Sequence, residues 1–396
     1  MRYVPSPAES TKPRVAYFAG SMKPGHDGVT RVLYRLIDAL VAEGIPNVFY
    51  SPIVPSPGGR STEMVEVPSL TIPMYKDYRF AIPGQRHFES HLVSFAPDLI
   101  HINSPCPLGH AAVQFGLAHG VPVVATYHTH FPSYARYYNV RPLTFLGWNY
   151  MRRLYNNCQR VYVPSEPILR ELAGKGMNTL KYLPHGVDTQ AFHPHFRSRV
   201  WKDMVGIGRK AALLFVGRLV WEKDLATLAE AYALLAAKRD DAAFVIVGDG
   251  PIRDELRQMM PDAKFLGYRS GEELATVYAS SDLFVFPSTT ETFGNVTLEA
   301  MASGLTPVCV REGGASGVVQ DGITGLLARP RDAADLAAKI EMLLDNPGMR
   351  SALADRALRF ARLQTWNRIF GDLFEDYDEV LREFRHIHPL RQRKVA

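Results

Sequence analysis

Two carboxylates, Glu291 and Glu299, stand eight positions apart with Phe293-Gly294-Asn295-Val296 between them. They follow an apolar run, Leu283–Phe286, with the pattern of a buried strand, and lead into a helical pattern that ends at Gly304. The first amides of a helix lack intrahelical partners and sit at the positive end of its dipole, so a helix opening here attracts an anion. Acids beside an anion site suit a ligand that is part phosphate and part polyol, as a nucleotide-sugar is. Alternatively, Glu299 serves only its own helix dipole and Glu291 only faces solvent.

A second cluster follows the apolar run ending at Val216: Gly217-Arg218-Leu219-Val220-Trp221-Glu222-Lys223. Gly217 permits a tight turn, and two cations follow within six positions. An arginine clamps two oxygens while a lysine acts as a point charge, so together they could neutralise a departing diphosphate. A surface arginine and a helix-flanking lysine would look the same. Val247-Gly248-Asp249-Gly250 lacks the third glycine and distant acid of a dinucleotide fingerprint. Tyr127-His128-Thr129-His130 offers two histidines but no third metal ligand. The lone Asp-x-Asp, Asp376-Tyr377-Asp378, falls in a helical run and reads as a solvated face, so no metal site is expected.

The elements that must hold these loops alternate. Strands are predicted at Arg14–Gly20, Leu99–Asn103, Val121–Thr126 and Arg160–Pro164, with helices at Val29–Glu43, Leu108–His119 and Ser165–Ala173. The pattern restarts with strands at Ala211–Val216, Phe244–Val247, Lys264–Leu266, Leu283–Phe286 and Pro307–Val310. This alternation predicts an α/β fold of two doubly wound parallel-sheet domains facing each other across a cleft, with ligand loops beyond the carboxyl ends of the strands. Leu183–Asp188, with its Pro and Gly, reads as the start of a linker and is followed by a polar stretch to Arg209.

The chain of 396 residues is long enough for two cores, and 46% apolar with 21% charged residues describes a globular protein. No apolar run is long enough to cross a bilayer, and the first residues carry no apolar signal core, so a cytoplasmic location is expected. Cys106, Cys158 and Cys309 are scattered, as fits a reducing compartment. The net charge of +5 gathers as arginines among aromatics over 131–160 and as a basic C-terminus with Arg391, Arg393 and Lys394. No nucleic-acid reading element accompanies it, so nucleic acid is not an expected partner.

Taken together, Glu-x7-Glu, Gly-Arg-Leu-x-x-Glu-Lys and the two-domain alternation resemble the retaining nucleotide-sugar glycosyltransferases of family 4, which have the GT-B architecture. The resemblance covers nearly the whole chain and is strongest over 211–330. It implies an acceptor domain over 1–185, completed by a terminal helix from 365–396, and a donor domain over 186–364. It assigns Arg218 and Lys223 to the leaving diphosphate, Glu291 to the hydroxyls of the transferred sugar and Glu299 to the ribose. The amides from Phe293 through Gly294 and Asn295 to Val296 would meet the diphosphate or sugar. Gly217 and Gly248 line the nucleotide pocket, and Tyr268 runs beside the base. In the first domain it carries over Gly28, from a Gly-Gly-Val loop in which Asp27 replaces one glycine here, and His128 beside the donor sugar and acceptor.

The resemblance further implies no cofactor, since the nucleotide-sugar is a substrate, and no metal. Tyr127-His128-Thr129 with the following Phe131-Pro132 and tyrosines is most similar to glycolipid-forming mannosyl and sulfoquinovosyl transferases. The implied partners are therefore a nucleotide-sugar donor, a lipid or saccharide acceptor, and the inner face of a membrane as a peripheral contact. The competing readings are an epimerase or hydrolase of the same fold, and a non-catalytic nucleotide- or carbohydrate-binding relative.

Overall fold

The computed structural model describes residues 12–23, 28–55, 62–72, 75–82, 86–129 and 141–387. Pro24–Asp27, His130, the run from Phe131 to Val140 and the basic C-terminus with Arg391, Arg393 and Lys394 lie outside them. The chain divides into two compact units: Met1–Pro164 with Leu169–Leu183 and Asn367–Ala396, and Ser165–Ile168 with Pro184–Trp366.

The strands of the first unit are β1 (Val15–Phe18), β2 (Asn47–Ser51), β3 (Glu63–Glu66), β4 (Ser69–Ile72), β5 (Tyr75–Ala81), β6 (Leu99–Ile102), β7 (Val123–Thr126), β8 (Arg160–Val163) and β9 (Leu180–Tyr182). Seven of them form a sheet in the order β3-β2-β1-β6-β7-β8-β9, with every pair parallel. A separate antiparallel pair joins β4 to β5. All four residues of β1 are buried, as are all four of β6. Strands buried along their whole length in this way belong to a sheet covered on both faces. Strand order reverses between β1 and β6, so the loops after these strands diverge and leave a crevice at their carboxyl ends.

The second unit repeats the scheme with β10 (Ala211–Val216), β11 (Ala242–Val247), β12 (Lys264–Gly267), β13 (Leu283–Phe286), β14 (Thr306–Val310) and β15 (Leu326–Ala328). Their order is β12-β11-β10-β13-β14-β15, again all parallel. The reversal falls between β10 and β13. The polar stretch to Arg209 belongs to this unit, and Trp201 and Ile207 are buried in its core. Spaced far apart among charges, these two apolar side chains make no periodic signal.

The helix Trp366–Ile387 groups, from Asn367 onward, with the first unit. It buries Ile369, Phe370, Leu373, Asp376, Tyr377, Val380 and Leu381, the three- and four-residue spacing of one helical face. Here the expectation for Asp376-Tyr377-Asp378 is overturned, because Asp376 and Tyr377 point into the domain and only Asp378 is exposed. Asp376 accepts a hydrogen bond from the Tyr162 hydroxyl at 2.7 Å and pairs with Lys181. Tyr377 shares hydrogen bonds with Tyr17 and with His101, whose other ring nitrogen meets Thr126 Oγ1 at 2.7 Å. Five neighbouring strands, β1, β6, β7, β8 and β9, thus each supply a polar group to this cluster. Burial pushes the His101 pKa down to about 3, so the ring is neutral at working pH.

Burial disfavours the charged form of Asp376, but the hydrogen bonds from Lys181 and Tyr162 outweigh it and hold the carboxyl below the usual range. Its folded pKa is therefore lower than its unfolded one. The stabilisation it brings is full above the unfolded value and is lost as pH falls through the folded value. Asp376→Ala strands the buried Tyr162 hydroxyl and should cost about 2 kcal/mol at neutral pH. Urea unfolding should show the midpoint gap between wild type and variant closing in strong acid.

Candidate functional site

The second unit brings its conspicuous residues to the reversal between β10 and β13, on the loops beyond the carboxyl ends of those strands. Gly217 donates its N–H to Val247 O at 3.0 Å and Leu219 donates to Asp249 O at 2.9 Å, so the loops after β10 and β11 run backbone to backbone. Gly248 makes this approach feasible. It sits at φ +132°, and a Cβ there would fall 1.8 Å from Gly217 O. Its N–H continues the contact to Gly267 O at 2.9 Å, and Tyr268 follows with its side chain largely exposed.

After Gly217 the chain exposes Arg218, which makes no ion pair among the described residues. A short turn, Trp221–Lys223, then delivers Lys223 to Glu291, and the two side chains form an ion pair. Residues 68 positions apart thus meet because β10 and β13 are adjacent. Both side chains keep some solvent contact, at 15% and 22% exposure.

The loop after β13 opens the helix Asn295–Ala302 through Gly294, which stands at φ +97° with Ala315 against it. Phe293 is buried, and Val296 packs against the core. Asn295 Oδ1 meets His185 Nδ1 at 2.8 Å, and the His185 ring lies 4.9 Å from Phe293. Burial pushes the His185 pKa down to about 4, partly opposed by the bond to Asn295, so the imidazole is neutral here. Glu299 is buried within the helix and accepts a hydrogen bond from the Tyr278 hydroxyl at 3.0 Å. Glu299 is therefore not merely a solvated acid on its helix, since it is oriented by a specific donor.

Sequence reading passed over several of these supports. Tyr278 occupies an ordinary core position of the helix Gly271–Ser280 and carries no signal. His185 was visible only as part of a linker. Gly313-Gly314 was a detectable doublet after β14: a Cβ on Gly313 would fall 2.5 Å from Thr289 O and one on Gly314 2.1 Å from Thr292. Gly314 also donates its N–H to Glu291 O at 2.6 Å, clamping the carboxylate's own backbone.

In the first unit Gly28 begins the helix Gly28–Ala42. His128 lies two residues beyond β7 and its Nε2 meets Asn103 Oδ1 at 3.1 Å, Asn103 being the residue after β6. Both are buried, and adjacency of β6 and β7 sets their spacing. In the sequence Asn103 carries no signal beyond closing the predicted strand Leu99–Asn103. Among the described residues, no group of three or more His, Cys, Asp or Glu is placed to hold a metal ion, and no helix is long and apolar enough to cross a membrane. Cys106, Cys158 and Cys309 are free.

Residues 26–191 match the family described as Glycosyltransferase Family 4, and residues 210–346 match Glycosyl transferases group 1. The chain is 35% identical over 380 residues to a GDP-mannose-dependent alpha-mannosyltransferase of Corynebacterium glutamicum, covering 93% of this chain and 89% of that protein. It is 33% identical over 366 residues to the Sulfoquinovosyl transferase SQD2 of Arabidopsis thaliana, covering 89% of this chain and 69% of that one. In fold it is similar to the sucrose-phosphate synthase of Thermosynechococcus elongatus, with a TM-score of 0.76 at 20% identity over 94% of this chain and all of that one. A structure of Anabaena HepE with UDP and glucose aligns with a TM-score of 0.70 at 20% identity, over 92% of this chain and 99% of that one. Two parallel-sheet units of the GT-B kind, and sequence likeness along both of them, lead to one conclusion: the chain belongs to the family 4 glycosyltransferases.

Proposed function

We propose that this glycosyltransferase moves a hexosyl group from a GDP- or UDP-linked sugar to a hydroxyl of a lipid or glycolipid, with retention at the anomeric carbon. The observation that carries this reading is the Lys223–Glu291 pair at the β10/β13 reversal, beside the opening of the helix Asn295–Ala302. A diphosphate arriving there takes Lys223, Arg218 and the free helix amides as its counter-charges. Glu291, released from Lys223, accepts hydrogen bonds from the sugar hydroxyls. Glu299, oriented by Tyr278, receives the ribose hydroxyls, and Tyr268 borders the base. With these cations on the leaving group, charge neutralisation needs no metal.

In the first unit His128, steadied by Asn103, offers a hydrogen-bonding imidazole to the acceptor side. The leaving phosphate oxygen takes the acceptor's proton as the new glycosidic bond forms on the face the diphosphate vacates. The lipid part of the reading is supported by relatives named as sulfoquinovosyl transferase and alpha-monoglucosyldiacylglycerol synthase. A thermal-shift series with UDP, GDP and ADP tests the donor part. A ligand at a hundred times its Kd should stabilise the protein by about 2.7 kcal/mol. Stabilisation by one nucleotide, weakened in Glu299→Ala, supports the reading; none with all three sinks it.

Peripheral membrane contact belongs to the same reading. The helix Arg141–Tyr155 leaves Phe145 72% and Leu146 61% exposed, with Arg152 and Arg153 exposed in its last turn. Exposed rings and cations of this kind suit an anionic headgroup layer. Replacing Arg152 and Arg153 by alanine should weaken binding to phosphatidylglycerol vesicles by about 1 kcal/mol per arginine. Sedimentation of wild type and variant with those vesicles measures it, and equal binding would remove the membrane from the proposal.

A further inference from the structure

Among the described residues of the second unit, two non-glycine residues adopt left-handed backbone: Asp224 at φ +53° and Arg331 at φ +56°. They are partners. Arg331 Nε lies 3.5 Å from Asp224 Oδ1, and the two side chains converge on Thr289. Asp224 Oδ2 accepts from Thr289 N–H at 2.9 Å and from Thr289 Oγ1 at 2.6 Å, while Arg331 Nη2 donates to Thr289 Oγ1 at 2.9 Å. Arg331 also reaches Glu312 at 3.2 Å, just before Gly313, which packs on Thr289. Left-handed backbone disfavours most side chains, and it persists where the surroundings hold the residue there.

The position of this cluster gives it a use. Asp224 immediately follows Lys223, and Thr289 lies two residues before Glu291. Next to it Thr290 Oγ1 donates to Glu222 O at 2.9 Å. The loop carrying Lys223 is therefore riveted, through the residues on both sides of it, to the two threonines that lead into Glu291. Asp224 and Thr289 are buried, with the Asp224 side chain 6% exposed and Thr289 7%, while Arg331 reaches them from the surface at 49% exposure. Resting on the donor-site reading above, we infer that Asp224, Thr289 and Arg331 are positioning residues for transfer. They hold Lys223 and Glu291 at a fixed spacing while the ion pair between them opens to admit the diphosphate and sugar.

Transfer assays on Asp224→Gly, Thr289→Val and Thr289→Ser test this. Asp224→Gly removes the carboxylate that Thr289 and Arg331 share and also relieves the left-handed backbone, so a purely structural role predicts lost stability with kcat unchanged. Positioning predicts a fall in kcat/KM of about 10²-fold, expressed in kcat, for Asp224→Gly and for Thr289→Val. Thr289→Ser, which keeps the hydroxyl, should restore near-wild-type kcat. The Asp224→Gly/Thr289→Val double variant should be no worse than either single, since both remove one device. Hydrogen exchange without any donor gives an independent readout: Asp224→Gly should expose the Thr289 amide and speed exchange in both loops. Wild-type kcat in the variants, equal kcat for the valine and serine forms, or unchanged exchange would each overturn the inference. Failure of the donor reading looks different, because wild type itself would then bind no nucleotide and transfer nothing.

Discussion

Glu291→Ala should lower transfer by about 10³-fold, the scale of losing one preorganised polar contact at a reacting centre. The direction of its effect on binding is equally informative. In the unliganded protein Glu291 holds Lys223 in an ion pair, so part of the lysine's charge is already engaged before a diphosphate arrives. Removing the carboxylate frees Lys223. Affinity for the nucleoside diphosphate should therefore hold or rise while turnover collapses. Initial rates with saturating donor, set beside calorimetric titration with GDP and UDP, separate the two. Turnover near wild type would sink the role given to Glu291, and lost nucleotide affinity would move that role from the sugar to the nucleotide.

Lys223→Met should produce the opposite partition. It keeps the length and packing of the side chain but removes the point charge that the proposed function sets against the diphosphate. Transfer should fall by about 10²- to 10³-fold, with a loss of nucleoside-diphosphate affinity that the uncharged nucleoside does not share. Raising the ionic strength should weaken diphosphate binding in wild type more than in the variant, because the variant has less charge to screen. An equal loss for nucleoside and nucleoside diphosphate would show that Lys223 supports the pocket's shape rather than the phosphate. Together these two outcomes would assign opposite ends of one ion pair to opposite ends of one donor.

Much of this architecture is legible in the chain. The strands Ala211–Val216 and Leu283–Phe286 appear where their apolar runs lie, because parallel strands buried on both faces must be continuously apolar. The helix expected at Val29–Glu43 is found at Gly28–Ala42, within the usual fraying of helix ends. Other elements left no such mark. The helix Pro347–Leu363 buries Leu353, Ala357 and Ala361, and two small alanines among arginines make a weak apolar stripe. The antiparallel pair β4 and β5 is short and lies away from the alternating pattern.

The chain by itself therefore determined the class of fold, the family it belongs to, and the loops that bear charge. Those features are local: a run of apolar residues, a glycine after a strand, an acid before a helix. Only the tertiary structure decided who meets whom. Lys223 finds Glu291 because strand order reverses between β10 and β13, and Asp376 is buried rather than solvated because its helix docks on five strands of another part of the chain. Tyr278 sets Glu299, His185 sets Asn295, and Asp224 with Arg331 grips Thr289. Each of these contacts joins side chains far apart in sequence, and their geometry exists only once the sheets have brought the strand ends together.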